Sequence, residues 1–160
     1  MSGYDAPVEI ESITREAIET LFEAIESRDL RSVRRALHPT ASWQNVPHPA
    51  AEGREAVIAL LDGILCFSER VQWDVLRISV DGTSASVERV DRFWLQGDEY
   101  AVACHGIFSV DIATRTVISV RDYVDLGEWR QRVKPMLSKM ASRPSLDVVS
   151  AHLAAIKTGV

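Results

Sequence analysis

Helical periodicity at the two ends of the chain and strand periodicity in its middle predict an α+β fold. In that fold a curved sheet wraps around a layer of N-terminal helices. Three observations carry the prediction. Between Ile13 and Ile25 the apolar residues Ala17, Ile18, Leu21, Phe22 and Ile25 recur at spacings of three and four, one face of a helix. Between Val71 and Val124 the period drops to two, in segments separated by turn residues. From Leu126 onward the helical period returns. Helices, then an antiparallel meander, then helices is the order of an α+β domain.

Taken in order, residues 1–11 read as a loose acidic tail, and Ser12 or Thr14 is the expected N-cap of the first helix. Asp29 caps a short second helix carrying Leu30, Val33 and Leu37, which His38-Pro39 should end. Ala41 to Val46 is a short strand, followed by a loop holding Pro47, His48 and Pro49. A third helix runs from Arg54 to about Phe67. In Val71–Val80 the apolar phase slips between Val75 and Leu76, the mark of a bulge. Asp81-Gly82 signals a hairpin turn. Strands are expected over about 84–95, 99–110 and 116–124. Leu126 to Lys139 reads as a helix bent by Pro135, and Ser145 caps a last helix over about 145–157. A chain of 160 residues is one ordinary domain. It divides into the tail 1–11, a core 12–140 and a C-terminal helical extension 141–160.

The composition removes several classes. With 46% hydrophobic and 26% charged residues the chain reads as globular, and no apolar run approaches the roughly 20 residues of a membrane span. A net charge of −5 with scattered arginines argues against nucleic acid as the partner and for small or neutral ligands. The acidic first dozen residues lack the apolar stretch of a secretory signal, and two cysteines cannot form a disulfide scaffold. A cytoplasmic protein with Cys66 and Cys104 as buried thiols is the expectation. His38, His48, His105 and His152 have no metal-ligand spacing, so no metal site is expected. His48 reads as loop, and His105 as exposed or at an interface.

The informative residues are charges in phase with apolar strand positions. On 84–95 one face reads Val87, Arg89, Asp91, Phe93, Leu95. On 116–124 the apolar face reads Ile118, Val120, Asp122, Val124. Period two therefore points Arg89, Asp91 and Asp122 inward. A lone buried charge would cost several kcal/mol, whereas one guanidinium fork can serve two carboxylates. Two readings fit: a structural Asp–Arg–Asp salt bridge, or a catalytic trio in which one carboxyl donates a proton and the other accepts one. Strand 41–46 adds Trp43 and Asn45 on one face. Asn45 either satisfies local backbone or holds a water beside an inward Asp. Cys104 shares a face with Val102 and Phe108 and reads as pocket or core wall rather than nucleophile.

Four segments carry a resemblance: Gln44-Asn45-Val46-Pro47-His48-Pro49, Gly53-Arg54-Glu55-Ala56-Val57, Glu88-Arg89-Val90-Asp91, and Arg121-Asp122-Tyr123-Val124-Asp125-Leu126. In order and spacing the chain resembles the limonene-1,2-epoxide hydrolases over about residues 15–137. That family lies within the SnoaL-like, nuclear-transport-factor-like fold. The resemblance implies a curved mixed sheet around N-terminal helices and a cone-shaped apolar pocket. It implies a cofactor-independent, one-step hydrolysis of an apolar, cyclic or terpenoid epoxide to a vicinal diol, in a homodimer. Asp122 would be the general base, Asn45 would help hold the attacking water, Asp91 would be the general acid, and Arg89 would bridge the carboxylates. The family usually carries a tyrosine where this chain has Trp43. An indole donates a hydrogen bond but accepts none, so Trp43 either donates to the water or serves as a wall that shifts the substrate. The C-terminal helix extends past the usual family length as a lid, a dimer contact or a cap on exposed sheet. Substrate would be shaped by Phe22, Ile25, Ile64, Phe93, Cys104, Val124 and Trp129. The competing readings are an isomerase or epoxide-opening cyclase on the same fold, or a non-catalytic small-ligand-binding module.

Overall fold

The computed structural model describes residues 5–142; the expected helix at 145–157 and nearly all of the 141–160 extension lie outside the described residues. The elements are α1 (Asp5–Ser27), α2 (Leu30–Ala36), β1 (Leu37–Asn45), β2 (Ala51–Glu52), α3 (Arg54–Leu65), β3 (Arg70–Asp81), β4 (Ser84–Leu95), β5 (Asp98–Asp111) and β6 (Thr116–Val124). A C-terminal helical segment follows as α4 (Leu126–Glu128), a π turn (Trp129–Val133) and α5 (Lys134–Ala141). The six strands form one mixed sheet in the order β2-β1-β6-β5-β4-β3. β3 to β6 make the antiparallel meander, and β1 joins β6 in parallel. The fold is the expected α+β class, with α1 packed across the inner face.

Two N-terminal expectations fail. Helix α1 begins at Asp5, so residues 5–11 are helical rather than tail, and neither Ser12 nor Thr14 is its N-cap. Pro7 does not oppose this, because the first turn has no partner for its N–H. Thr14 is instead buried, and its Oγ1–H donates to the Gly82 carbonyl at 2.8 Å, tying α1 to the first hairpin. The second helix stops at Ala36, and His38-Pro39 lies within β1, which starts earlier than expected. A residue before proline is driven to extended backbone, and the β1–β6 register is irregular between Leu37 and Ser42, where Pro39 has no N–H to give.

The meander follows its turn chemistry. In the β4–β5 hairpin Gln96 and Gly97 have φ of 53° and 85°, the left-handed pair that a two-residue type I′ turn needs. The bulge expected in β3 is present: Val75 pairs with Arg89 but Arg77 with Glu88, leaving Leu76 exposed. A second irregularity, between Ser109 and Val110 against β6, puts Val117 at the core, whereas Ile118, expected inward, is only half-buried. Edge strand β3 is partly covered, since the Trp73 backbone N–H donates to Glu26 of α1 at 2.6 Å. At the C-terminal end the bent helix resolves into three pieces. The wider π turn precedes Pro135, which sits in the first turn of α5, where a missing N–H is tolerated. Among the described residues no helix is long and apolar enough to cross a membrane. Cys66, expected to be buried, is exposed at the end of α3.

Candidate functional site

Strand alternation alone brings the inward charges together. On β4, Arg89 and Asp91 occupy the buried row with Val87, Phe93 and Leu95. On β6, Asp122 occupies the row with Val120. β5 separates the two strands, and the long arginine side chain spans it. Arg89 donates Nε–H to Asp91 Oδ1 at 2.8 Å and Nη2–H to Asp91 Oδ2 at 3.2 Å. It donates Nη1–H to Asp122 Oδ1 at 3.1 Å and Nη2–H to Asp122 Oδ2 at 2.8 Å. Both contacts are two-pronged, the geometry that a planar guanidinium fits and an ammonium cannot.

The guanidinium is fully buried and boxed by rings. Its carbon lies 4.5 Å from the Trp73 centroid and 5.6 Å from those of Phe22 and Phe108. Rings offer a cation their negative faces and no competing hydrogen bonds. Burial works against the Arg89 charge, but Asp91 and Asp122 outweigh it and hold the guanidinium ionised. One cation between two carboxylates leaves one negative charge too many for an apolar interior, which favours uptake of a proton. Burial pushes the Asp91 pKa up to about 6 despite the pull of Arg89, with Asp122 adding to the rise. Asp122 receives a third donor: Trp43 Nε1–H donates to its Oδ2 at 3.1 Å. The two acids are therefore unequal in their partners: Asp122 accepts from Arg89 and Trp43, and Asp91 from Arg89 alone among the described residues.

A cavity of about 480 Å³ opens beside the trio. Asp91, Asp122, Trp43 and Asn45 all face it. Asn45 pairs with Asp122 in the parallel β1–β6 register, so its carboxamide stands next to that carboxylate. Leu60, Leu61 and Ile64 of α3 supply one apolar wall, and Leu126, Trp129 and Leu137 of the C-terminal segment another. Ile64, Phe93, Val124 and Trp129 stand on the wall as expected.

Phe22, Ile25 and Cys104 do not line it. Phe22 is spent on the guanidinium, Ile25 is sealed in the core under α1, and Cys104 is buried opposite Arg89 in the β4–β5 register. Period two and period 3.6 identify inward positions, but core and cavity share the inward side. Burial also pushes the Cys104 thiol well up, away from nucleophilic form. Trp43 does not offer its N–H to a water, because that donor is committed to Asp122. His48 sits exposed at the cavity mouth, and His105 is exposed with Ser86 as partner.

Sequence reasoning missed Leu60, Leu61, Leu126 and Leu137 on the wall and, against Arg89, Trp73. Trp73 lines the cavity, stacks on Arg89 and pairs with Asp91 in the β3–β4 register. Its Nε1–H is buried without a partner among the described residues. The available signal was its period-two spacing from Val71 on the strand neighbouring Arg89-x-Asp91. Among the described residues no group of three or more His, Cys, Asp or Glu could hold a metal ion.

A family model, the SnoaL-like domain, matches residues 18–116. No curated protein matches the sequence. Among solved structures, a Mycobacterium tuberculosis LEH-like epoxide hydrolase is 22% identical, with 82% of this chain and 96% of that chain covered at a TM-score of 0.65. SalBIII, an epoxide hydrolase/cyclase-like enzyme of pyran ring formation in the polyether salinomycin, is 16% identical, with 74% and 95% covered at 0.65. An NTF2-like protein of unknown function from Cytophaga hutchinsonii is 14% identical, with 74% and 95% covered at 0.59. Likeness at these identities establishes the fold, and neighbours of differing activity share it.

Proposed function

The chain belongs to the SnoaL-like domain family, and on that footing we propose that it is an epoxide hydrolase working by one-step general acid–base catalysis. The observation that carries this reading is the buried Arg89 fork joined to two unequal carboxylates at the wall of an apolar cavity. Epoxide opening needs both members: an alkoxide leaves poorly unless protonated, and water attacks poorly unless deprotonated. Asp122 takes a proton from water as its oxygen bonds to one epoxide carbon. The C–O bond at that carbon breaks, and Asp91 gives its proton to the departing oxygen. Epoxide and water become a vicinal diol, and the proton gained by Asp122 returns to Asp91 through solvent or the Arg89 hydrogen bonds. No cofactor enters the scheme. Asn45 pairs with Asp122 in the β1–β6 register and lines the cavity, which supports giving it the water to hold.

One observation favours a second reading. Trp43 commits its donor to Asp122, so a water has one fewer group to hold it. A substrate carrying its own hydroxyl needs no such clamp, and the same acid–base pair would then close a cyclic ether. Single-turnover reaction of cyclic and terpenoid epoxides in heavy-oxygen water separates the cases. Diol with one labelled oxygen in the first turnover is the expected result. An unlabelled cyclic ether from a hydroxy-epoxide selects the cyclase. Unlabelled first-turnover diol means a carboxylate nucleophile and sinks the mechanism.

A further inference from the structure

Gly106 lies on β5, paired with Val87 of β4 on one side and with Asp122 of β6 on the other. A Cβ at this position would stand 2.4 Å from Asp122 Oδ1, 2.7 Å from Arg89 Nη1 and 2.6 Å from Phe108 Cε2. At Gly53, Gly63, Gly82 and Gly97 a Cβ would meet open space. Gly106 is not among the glycines of positive φ, so its backbone suits any residue and glycine is needed for room alone.

We infer that Gly106 is a positioning residue for the acid–base trio: the side chain it lacks is the seat in which the Arg89–Asp122 pair rests. Cys104 and Phe108, two residues away on the same inward row, carry the side chains that bound this gap. Within it, Arg89 Nη1–H reaches Asp122 Oδ1 across the bare backbone of β5. Neither partner can step aside without giving up its other contacts. The guanidinium is fixed by Asp91 and boxed by Trp73, Phe22 and Phe108, and the carboxylate is held by Trp43. A methyl group at 106 therefore displaces Asp122 from the fork, and interiors this tightly packed pass such a push on to neighbours. Gly106 is not on the cavity wall, so the binding of substrate should change little. The catalytic consequence rests on the acid–base reading of the trio; the structural one does not.

The test is Gly106→Ala in the full chain, with two readouts. The first needs no substrate: the Trp43 indole N–H resonance, assigned by its loss in Trp43→Phe, reports the bond to Asp122. In Gly106→Ala it should move and exchange faster with solvent, while the Trp94 resonance on the outer face stays in place. The second is turnover of an epoxide, where a displacement near 1 Å should lower kcat about 10²-fold and leave KM within about threefold. An unmoved Trp43 resonance in a folded Gly106→Ala protein overturns the inference, whatever turnover does. Wild-type protein without epoxide turnover would remove the functional reading and leave the resonance to decide this one. If Gly106→Ala fails to fold, Gly106→Ala/Phe108→Leu removes the ring contact and keeps the two polar ones. Failure of both to fold would overturn the inference too, because the glycine would then serve the packing of the core.

Discussion

Strand β4 carries an arginine between two acids on each of its faces, and burial makes them chemically different. Inside, Arg89 bridges Asp91 and Asp122 with its side chain at 0% exposure. Outside, Arg92 donates Nε–H to Asp74 at 2.5 Å and Nη1–H to Glu99 at 2.7 Å, with 32% of its side chain exposed. Contact distances barely differ, yet the proton affinities of the acids diverge. Hydrogen bonds from Arg92 and Gln72 hold Asp74 below the usual carboxylate range. Asp91 is hydrogen-bonded to an arginine just as closely, but loss of water outweighs that bond and its pKa rises to about 6. An ion pair alone therefore does not mark a catalytic site; an ion pair starved of solvent is what produces an acid able to donate near neutrality.

The largest expected effect breaks the comparison at its acids. Asp91→Asn and Asp122→Asn should each lower turnover about 10²–10⁴-fold, the usual worth of a positioned acid or base. Asp74→Asn, on the outer face, should leave turnover within about twofold of wild type. Circular dichroism should find all three folded, since the amide keeps the shape and some of the hydrogen bonding. Near wild-type turnover in either inner variant would reduce the inner trio to a structural salt bridge like the outer one.

Titration gives the next effect. If Asp91 delivers a proton, kcat should fall as pH rises through about 6, and that limb should be missing from whatever activity Asp91→Asn retains. Stability should follow the same group. The folded protein keeps the Asp91 proton up to about pH 6, whereas the unfolded chain releases it near the ordinary aspartate value of 3.8. Between those values the native state binds more protons, so stability declines as pH rises across the window and then levels off. The gap between the two values corresponds to on the order of 3 kcal/mol. Denaturant unfolding from pH 4 to 7 measures it, and Asp91→Asn should flatten this part of the curve. A wild-type curve rising from pH 4 to 6 would mean that other carboxylates dominate.

The two faces also explain what the sequence could disclose. Period two placed Arg89, Asp91 and Asp122 on the inner face because charge among valines and phenylalanines stands out against an apolar row. The same period puts Arg92 on the opposite, mixed row with Ser86, Glu88, Val90 and Trp94. It could not tell core from cavity, so Phe22, Ile25 and Cys104 were expected beside the substrate and are buried off the cavity wall instead. Nor could it find Trp73, whose strand shows no charge out of place, or the bond from Trp43 to Asp122, which depends on the parallel pairing of β1 with β6. Long-range register decides those contacts, and a local pattern carries no record of it. The start of α1 escaped for the opposite reason: its first turns hold few inward apolar residues, so the periodic signal begins only at Ile13.

The smallest expected effect sharpens the comparison from outside. Arg92→Gln removes both outer ion pairs while keeping a side chain that can hydrogen-bond to Asp74. Water solvates the freed carboxylates at once, and exposed pairs contribute little because the attraction is screened and two flexible side chains must be held. The melting temperature should drop by no more than about 2 °C at low salt, and the difference should vanish near 1 M salt, where the screening length is about 3 Å. Turnover and its pH profile should be unchanged, because Arg92, Asp74 and Glu99 do not line the cavity. Arg89→Gln is the matched inner variant. It leaves two buried carboxylates without their cation, so it should lose about 3–5 kcal/mol, and salt should not restore it. Equal losses in the two variants would show that three residues along β4 do not separate a solvated arginine from a functional one. A loss in Arg89→Gln that shrinks with salt would mean that water reaches the trio.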